Sequence, residues 1–400
     1  MTALSASELL PAPTAAGARS GRWSAEPGFG VYVHIPFCRH RCHYCDFNTY
    51  EGQDELHAAY VDALVGHVEG LPGELPRATS IFFGGGTPTL LPPRDLGRIL
   101  GAVRDRVGIV AGAEVTVEAN PETVDEPYFE ALLAEGFDRV SIGTQSLVPH
   151  VLQALGRTHG PDVARAAVAA ARRAGVADVN VDLIYGSQWE SPEDWERTLE
   201  GVLDLEPDHV SAYALTVEEG TPLGTLVTTG RVADVDPDVQ AERHRVAEEV
   251  LSAAGFERYE VSNWARPGRA SRHNVLYWSA GEYLGVGAGA HGHLAGRRFW
   301  STRLPRSFID AVREGKDVIV GGEALAHPER AAEALMLGLR LASGIELAAF
   351  ERRFGSGHLA AIENEVERLV ALGMVERRDG WMRIAPRATM VANDVITRLM

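Results

Sequence analysis

The chain has 400 residues, 45% of them hydrophobic, and a formal net charge of -17. That much apolar material can fill one large and one smaller domain, which excludes an intrinsically disordered chain. So acidic a balance argues against sustained contact with the phosphates of a nucleic acid.

Residues 1–28 are rich in Ala, Ser, Gly and Pro and lack the cationic start and apolar core of a signal peptide, so they read as a mobile tail. No apolar run is long enough to cross a membrane as a helix. Over 29–235, apolar runs at 31–35, 80–83, 114–118, 139–143, 179–184 and 209–214 predict six strands. Helical periods at 54–68, 95–107, 127–135, 161–174 and 192–205 fall between them. Ser191-Pro192-Glu193-Asp194 is the clearest helix start, with a Ser cap and Pro at the first helical position. This alternation predicts an α/β fold whose parallel sheet is joined by crossover helices; six strands are too few for a closed eight-fold barrel. Residues 236–320 are less regular, with a helix at 239–254 and a Gly-rich stretch at 283–291. Over 321–400, helical periods at 328–341, 346–353 and 357–372 precede two short strand-like pieces and a last helix, the pattern of a winged-helix-like cap. Ten Arg balance ten Asp plus Glu over 327–400, so this cap is not expected to bind DNA.

All three cysteines lie in Cys38-Arg39-His40-Arg41-Cys42-His43-Tyr44-Cys45, directly after the first apolar run. An odd and small number excludes a disulfide scaffold and fits a reducing cytoplasm. Three thiolates this close can face one soft metal centre. A [4Fe-4S] cube has four irons, so three cysteines leave one iron open to a small molecule. Structural zinc, with His34, His40 or His43 as fourth ligand, is the other reading; such sites usually draw on two separated pairs, and no second pair exists here. The C-x3-C-x2-C spacing is that of the radical SAM superfamily, which the chain resembles from this loop onward. The resemblance implies a partial (β/α)6 TIM-like barrel and a [4Fe-4S] cluster on Cys38, Cys42 and Cys45. It also implies S-adenosylmethionine (SAM) chelating the open iron.

Gly84-Gly85-Gly86-Thr87-Pro88-Thr89 follows the second predicted strand, where bare backbone can approach a ligand closely. Preceded by Phe83, it resembles the segment that holds the methionyl amino group in the coproporphyrinogen oxidase-like subgroup. Glu118, Gln145, Arg157 and Asp182 then recur near later strand ends. Each alone is more often a surface charge or a cap. As a set they suit SAM: Arg157 can fork onto a carboxylate, Asp182 and Gln145 can bond ribose hydroxyls, and Glu118 can receive the ammonium. The resemblance to the oxygen-independent coproporphyrinogen oxidase family assigns SAM contacts to these four and adds Tyr32, Tyr44, Gly85, Gly86, Thr87 and Thr216.

Two features separate subfamilies. True coproporphyrinogen III oxidases carry a further cysteine two residues after the third, where this chain has Phe47. The phrase Cys45-Asp46-Phe47-Asn48 resembles the HemW-type heme chaperone family instead. So does His273-Asn274-Val275-Leu276-Tyr277-Trp278, the HNxxYW motif associated there with heme binding. A core histidine among stacking aromatics is the plainer reading of that hexapeptide; the resemblance makes His273, Asn274, Tyr277 and Trp278 heme candidates, with His291 next in line. Gly186-Ser187-Gln188 departs from the family's usual Gly-Leu-Pro. The resemblance thus implies a cytoplasmic [4Fe-4S] protein that binds heme and delivers it to heme-accepting proteins. It is compatible with a homodimer, with peripheral membrane contact through an acceptor, and with SAM cleavage. The alternative is an oxygen-independent coproporphyrinogen III oxidase.

Overall fold

Short runs of Val, Ile and Phe resolve into strands, and the capped segments between them into helices, in a computed structural model that describes residues 21–400. Residues 1–20 of the expected tail lie outside the described residues. Twelve strands form the main sheet: β1 Phe29–Ile35, β2 Ala78–Gly85, β3 Ile109–Ala119, β4 Arg139–Gln145, β5 Asp178–Tyr185, β6 His209–Ala214, β7 Glu257–Arg258, β8 Asn263–Ala265, β9 Glu282–Val286, β10 His291–Leu294, β11 Arg297–Ser301 and β12 Ile319–Ala324. Their order is β12-β11-β10-β9-β1-β2-β3-β4-β5-β6-β8-β7.

The six expected strands run parallel to one another, and β9 adds a seventh parallel strand beside β1. The parallel strands are buried along most of their length because both faces are covered. Helices cover the outer face; His57–Glu69 packs against Pro93–Arg106 and Pro305–Arg313. Pro192–Leu203 opens with the full reciprocal cap expected of Ser191, whose side chain accepts from the Asp194 amide while Asp194 accepts in return. The segment at 236–320 extends the sheet at both edges, through β8 and β7 on one side and the antiparallel run β10-β11-β12 on the other.

Residues 327–400 follow the order helix His327–Gly338, strand Ile345–Glu346, helices Leu347–Phe354 and Gly357–Ala371, then strands Val375–Arg378 and Trp381–Ile384. That is winged-helix order, with the short strand paired to Trp381–Ile384. Its core is separate and includes Leu335, Phe350, Val366, Met382 and Leu399.

The tail reading fails for its last part. Trp23 is 4% exposed and belongs to that C-terminal core, its ring 6.3 Å from Phe350. The Trp23 and Ser24 amides donate to the hydroxyls of Ser343 and Ser279. An apolar anchor of this size outweighs the low-complexity composition that precedes it. Trp23→Ala is expected to destabilise the protein by about 3–5 kcal/mol in denaturant unfolding, while leaving the iron content of the reconstituted protein unchanged.

Candidate functional site

The cysteine loop leaves the carboxyl end of β1 and is pinned at several points. Phe37–Cys38 pairs in parallel with Tyr50–Glu51. The His43 amide donates to Leu155 O, and its ring Nδ1 lies 3.2 Å from Ala154 O. Gly156 (φ +74°) is required beneath it, since a Cβ there would come within 2.7 Å of the His43 ring. His34 bridges Tyr32 Oη (2.9 Å) and Asn48 O (3.0 Å). Two of the three histidines considered as zinc ligands are therefore committed to holding the loop. Among the described residues, no three His, Cys, Asp or Glu side chains converge as ligands of a single ion would. The three thiols lie within electrostatic reach of one another. Burial, ahead of its neighbours Cys45 and Cys42, pushes the Cys38 thiol up to about 11 against a hydrogen bond from Thr87. Arg157 donates from one terminal nitrogen to Cys42 Sγ (3.3 Å) and from the other to Asn120 Oδ1 and Gly143 O.

The Gly-rich turn differs from expectation in what it offers. The Gly85 amide donates to Glu118 Oε2 (3.0 Å), that of Gly86 to Ile35 O, and that of Thr87 to Phe37 O. With these donors spent, the turn has only carbonyl oxygens left for a ligand, which suits an ammonium group. Gly85 has φ +114°, and a Cβ on it would meet the His34 ring at 2.4 Å. Glycine is dictated here by backbone and space alike.

Two carboxylates face each other within the barrel. Asp182 accepts from Ser141 Oγ (2.8 Å) and Asn180 Nδ2 (2.7 Å). Burial raises its pKa against those bonds. Burial first, and Asp182 second, push Glu118 up to about 8 against the Gly85 amide. Gln145 closes β4 in the left-handed region at φ +65°, which folds its side chain back over Gly143. A non-glycine residue held there is strained by about 1 kcal/mol or more, a cost that tends to collect at functional sites. Tyr44 packs on the Val148–Leu155–Leu215 cluster near Cys42 and Arg157. Thr216 is exposed just beyond β6, without hydrogen bonds among the described residues. The Gly186-Ser187-Gln188 turn is closed by Glu190, which accepts from the Gly186 amide, and by Gln188, which donates to Ala233 O.

The hexapeptide motif forms the helix Arg272–Trp278 beneath the barrel. Glu114, fully buried on β3, accepts from Ser271 Oγ and from the Arg272 and His273 amides. His273 is 1% exposed, stacked on Phe82, with Nδ1 2.9 Å from Ser80 Oγ and Nε2 2.9 Å from Tyr277 Oη. Burial lowers its pKa to about 3, so it is neutral. This corrects the expectation of an iron ligand at His273: neither ring nitrogen is available. Asn274 donates to Tyr259 Oη, and Trp278 lies beneath the Arg340 guanidinium. Of the four motif candidates, Tyr277 alone lines the cleft. That cleft, about 580 Å³, is walled by Tyr32, Gly85 and Glu118 from the barrel, Phe47 and Asn48 from the cysteine loop, and Tyr283, His291, Trp300 and Arg303 from the extension. Trp300 and Arg303 belong to no sequence motif that would have marked them.

Comparison with known proteins identifies the family. The Radical SAM superfamily model matches residues 32–202, and that of the HemN C-terminal domain matches 325–391. The heme chaperone HemW of Mycobacterium tuberculosis is 39% identical over 93% of this chain and 95% of its own length. The chain belongs to the HemW family of radical SAM proteins. The mitochondrial radical S-adenosyl methionine domain-containing protein 1 of Bos taurus is also 39% identical, over 89% of this chain and 84% of its own. The solved coproporphyrinogen III oxidase (HemN) of Escherichia coli superposes with a TM-score of 0.79 over 96% of this chain and 91% of that one. At 21% identity that likeness speaks for the fold alone.

Membership of the radical SAM superfamily implies a [4Fe-4S] cluster and SAM, and the donor set of this HemW-family chain fits both. Three mutually close thiols, one already facing a guanidinium, suit a cube with an open iron. A carbonyl-only turn beside Glu118 suits an ammonium. Glu118 yields a pH prediction. Protonated below about 8, it accepts from the N–H groups of an iron-bound amine better once ionised, so SAM affinity should rise with pH up to about 8. Calorimetry near pH 7 in buffers of different ionisation enthalpy should show proton release on SAM binding, and Glu118→Gln should reduce that release.

Proposed function

We propose that this chain is a heme chaperone: it binds heme and passes it to heme-accepting proteins in the cytoplasm, with nucleic acid not among its partners. Cys38, Cys42 and Cys45 hold the [4Fe-4S] cluster. SAM lies across Tyr32, Tyr44, Gly85, Gly86, Thr87, Glu118, Gln145, Arg157, Asp182 and Thr216. Bound together, cluster and SAM supply the radical chemistry of the superfamily. The chain's own residues orient them: Arg157 sets a positive charge against the Cys42 sulfur, Gln145 ends β4, and Asp182 is held by Ser141 and Asn180 within the barrel.

The observation that carries this reading is Phe47. It stands where the oxidases have a further cysteine, and it is 64% exposed on the cysteine loop, bordering the cleft. An apolar ring left in solvent beside a ligand-sized cleft is the mark of a surface awaiting an apolar partner. The absence of membrane-crossing helices among the described residues is compatible with a cytoplasmic protein.

The anaerobically reconstituted protein should hold about four irons and bind one heme per chain. It should form no protoporphyrinogen from coproporphyrinogen III with SAM and reductant present. Cys42→Ala should lose the cluster iron and keep heme. Sustained decarboxylation by the wild type would establish the oxidase instead.

A further inference from the structure

We infer, resting on the heme reading above, that His291 is the residue that ligates the heme iron, in the cleft between the β10–β11 hairpin and the cysteine loop. The sequence motif directs attention to His273, but both nitrogens of that ring are bonded inside the barrel. No macrocycle fits around it: a Cβ on Gly30 alone would approach the His273 ring to 3.1 Å.

His291 has the opposite surroundings. It is exposed at the cleft wall, and among the described residues neither ring nitrogen has a hydrogen-bond partner. Its orientation is nonetheless fixed. His291 sits directly opposite Trp300 in the antiparallel pair, so both side chains share one face, and the rings stack at 5.8 Å with 28° between planes. Trp300 is seated in turn on Gly321, where a Cβ would come within 2.4 Å of the indole. An imidazole held flat by an indole, with its nitrogens free, is a preorganised metal ligand.

The rest of the cleft matches a flat aromatic metal complex bearing carboxylates. Phe47 faces it from the cysteine loop, and Tyr277 and Tyr283 meet edge-to-face at 4.6 Å on the extension side. Arg303 stands at the mouth, its side chain engaged among the described residues through Nε alone, on Asn48 Oδ1 (3.4 Å). Its terminal nitrogens are open to a propionate. His273 then acts at one remove: its Nε2 is paired with the Tyr277 hydroxyl and so positions the aromatic wall.

The test is a titration of the full-length, cluster-loaded protein with ferric heme, followed by absorbance. His291→Gly should lose the histidine-ligated Soret band and bind heme at least about tenfold more weakly, with its iron–sulfur content unchanged. Added imidazole should restore the band, which a merely structural defect would not allow. Heme dimethyl ester should bind the wild type more weakly than heme does, and Arg303→Ala should erase that difference. A wild-type band and affinity in His291→Gly, or a lost band that imidazole leaves unrestored, overturns the inference while the chaperone reading stands. A wild type that takes up no heme overturns both.

Discussion

Strand β9 pairs in parallel with β1, from Phe29 opposite Glu282 to Val33 opposite Val286, and this register fixes what stands beside the cysteine loop. β1 feeds the loop that carries the thiols; β9 feeds the hairpin that carries His291 and Trp300. Because the two strands run the same way, both outlets open at the same end of the sheet, where ligands gather in such folds. Asn48 secures the junction, donating to Ala288 O and Arg303 O while the His34 ring bonds its carbonyl. The Tyr60 hydroxyl closes the same seam from below, donating to His34 O and accepting from the Ala288 amide.

Beneath that seam the barrel interior is polar to an unusual degree for a parallel sheet. Asn180 bonds Ser141, Asp182, Ser211 and His209, and His209 reaches Tyr259, which also meets Asn274. Burial keeps His209 neutral, so it joins this network as donor on one side and acceptor on the other. Networks of this kind are costly unless complete, because a lone unmade bond in low dielectric costs about 1–3 kcal/mol. Here they lock the extension to the barrel: Ser80 and His273, or Glu114 and Ser271, belong to distant parts of the chain yet complete each other.

The same burial tunes the site. Glu118 and Asp182 are raised because water is excluded, and Glu118 further by Asp182 beside it, so the barrel favours fewer negative charges than its composition suggests. A cationic ligand reverses that preference. The open mouth, by contrast, carries Phe47, His291 and Arg303 in solvent, where apolar, metal-binding and cationic functions remain available to a guest.

By itself the sequence determined the parts that depend on local chemistry. The six parallel strands followed from runs of β-branched and aromatic residues, and the helices between them from period and capping, as at Ser191. The C-x3-C-x2-C loop and the Gly84–Gly86 turn were legible as motifs because thiol spacing and bare backbone are read from neighbouring residues alone. Only the tertiary structure decided the rest. β9 is five residues long with a glycine at its core, too short and too permissive to announce a strand, and it forms because β1 offers an unpaired edge. Trp23 looked like the end of a tail until a core some 300 residues later received it. His273 looked like a ligand because motif and aromatics surround it in sequence, but a histidine's role is set by what its two nitrogens meet, and one of those partners, Ser80, is 193 residues away.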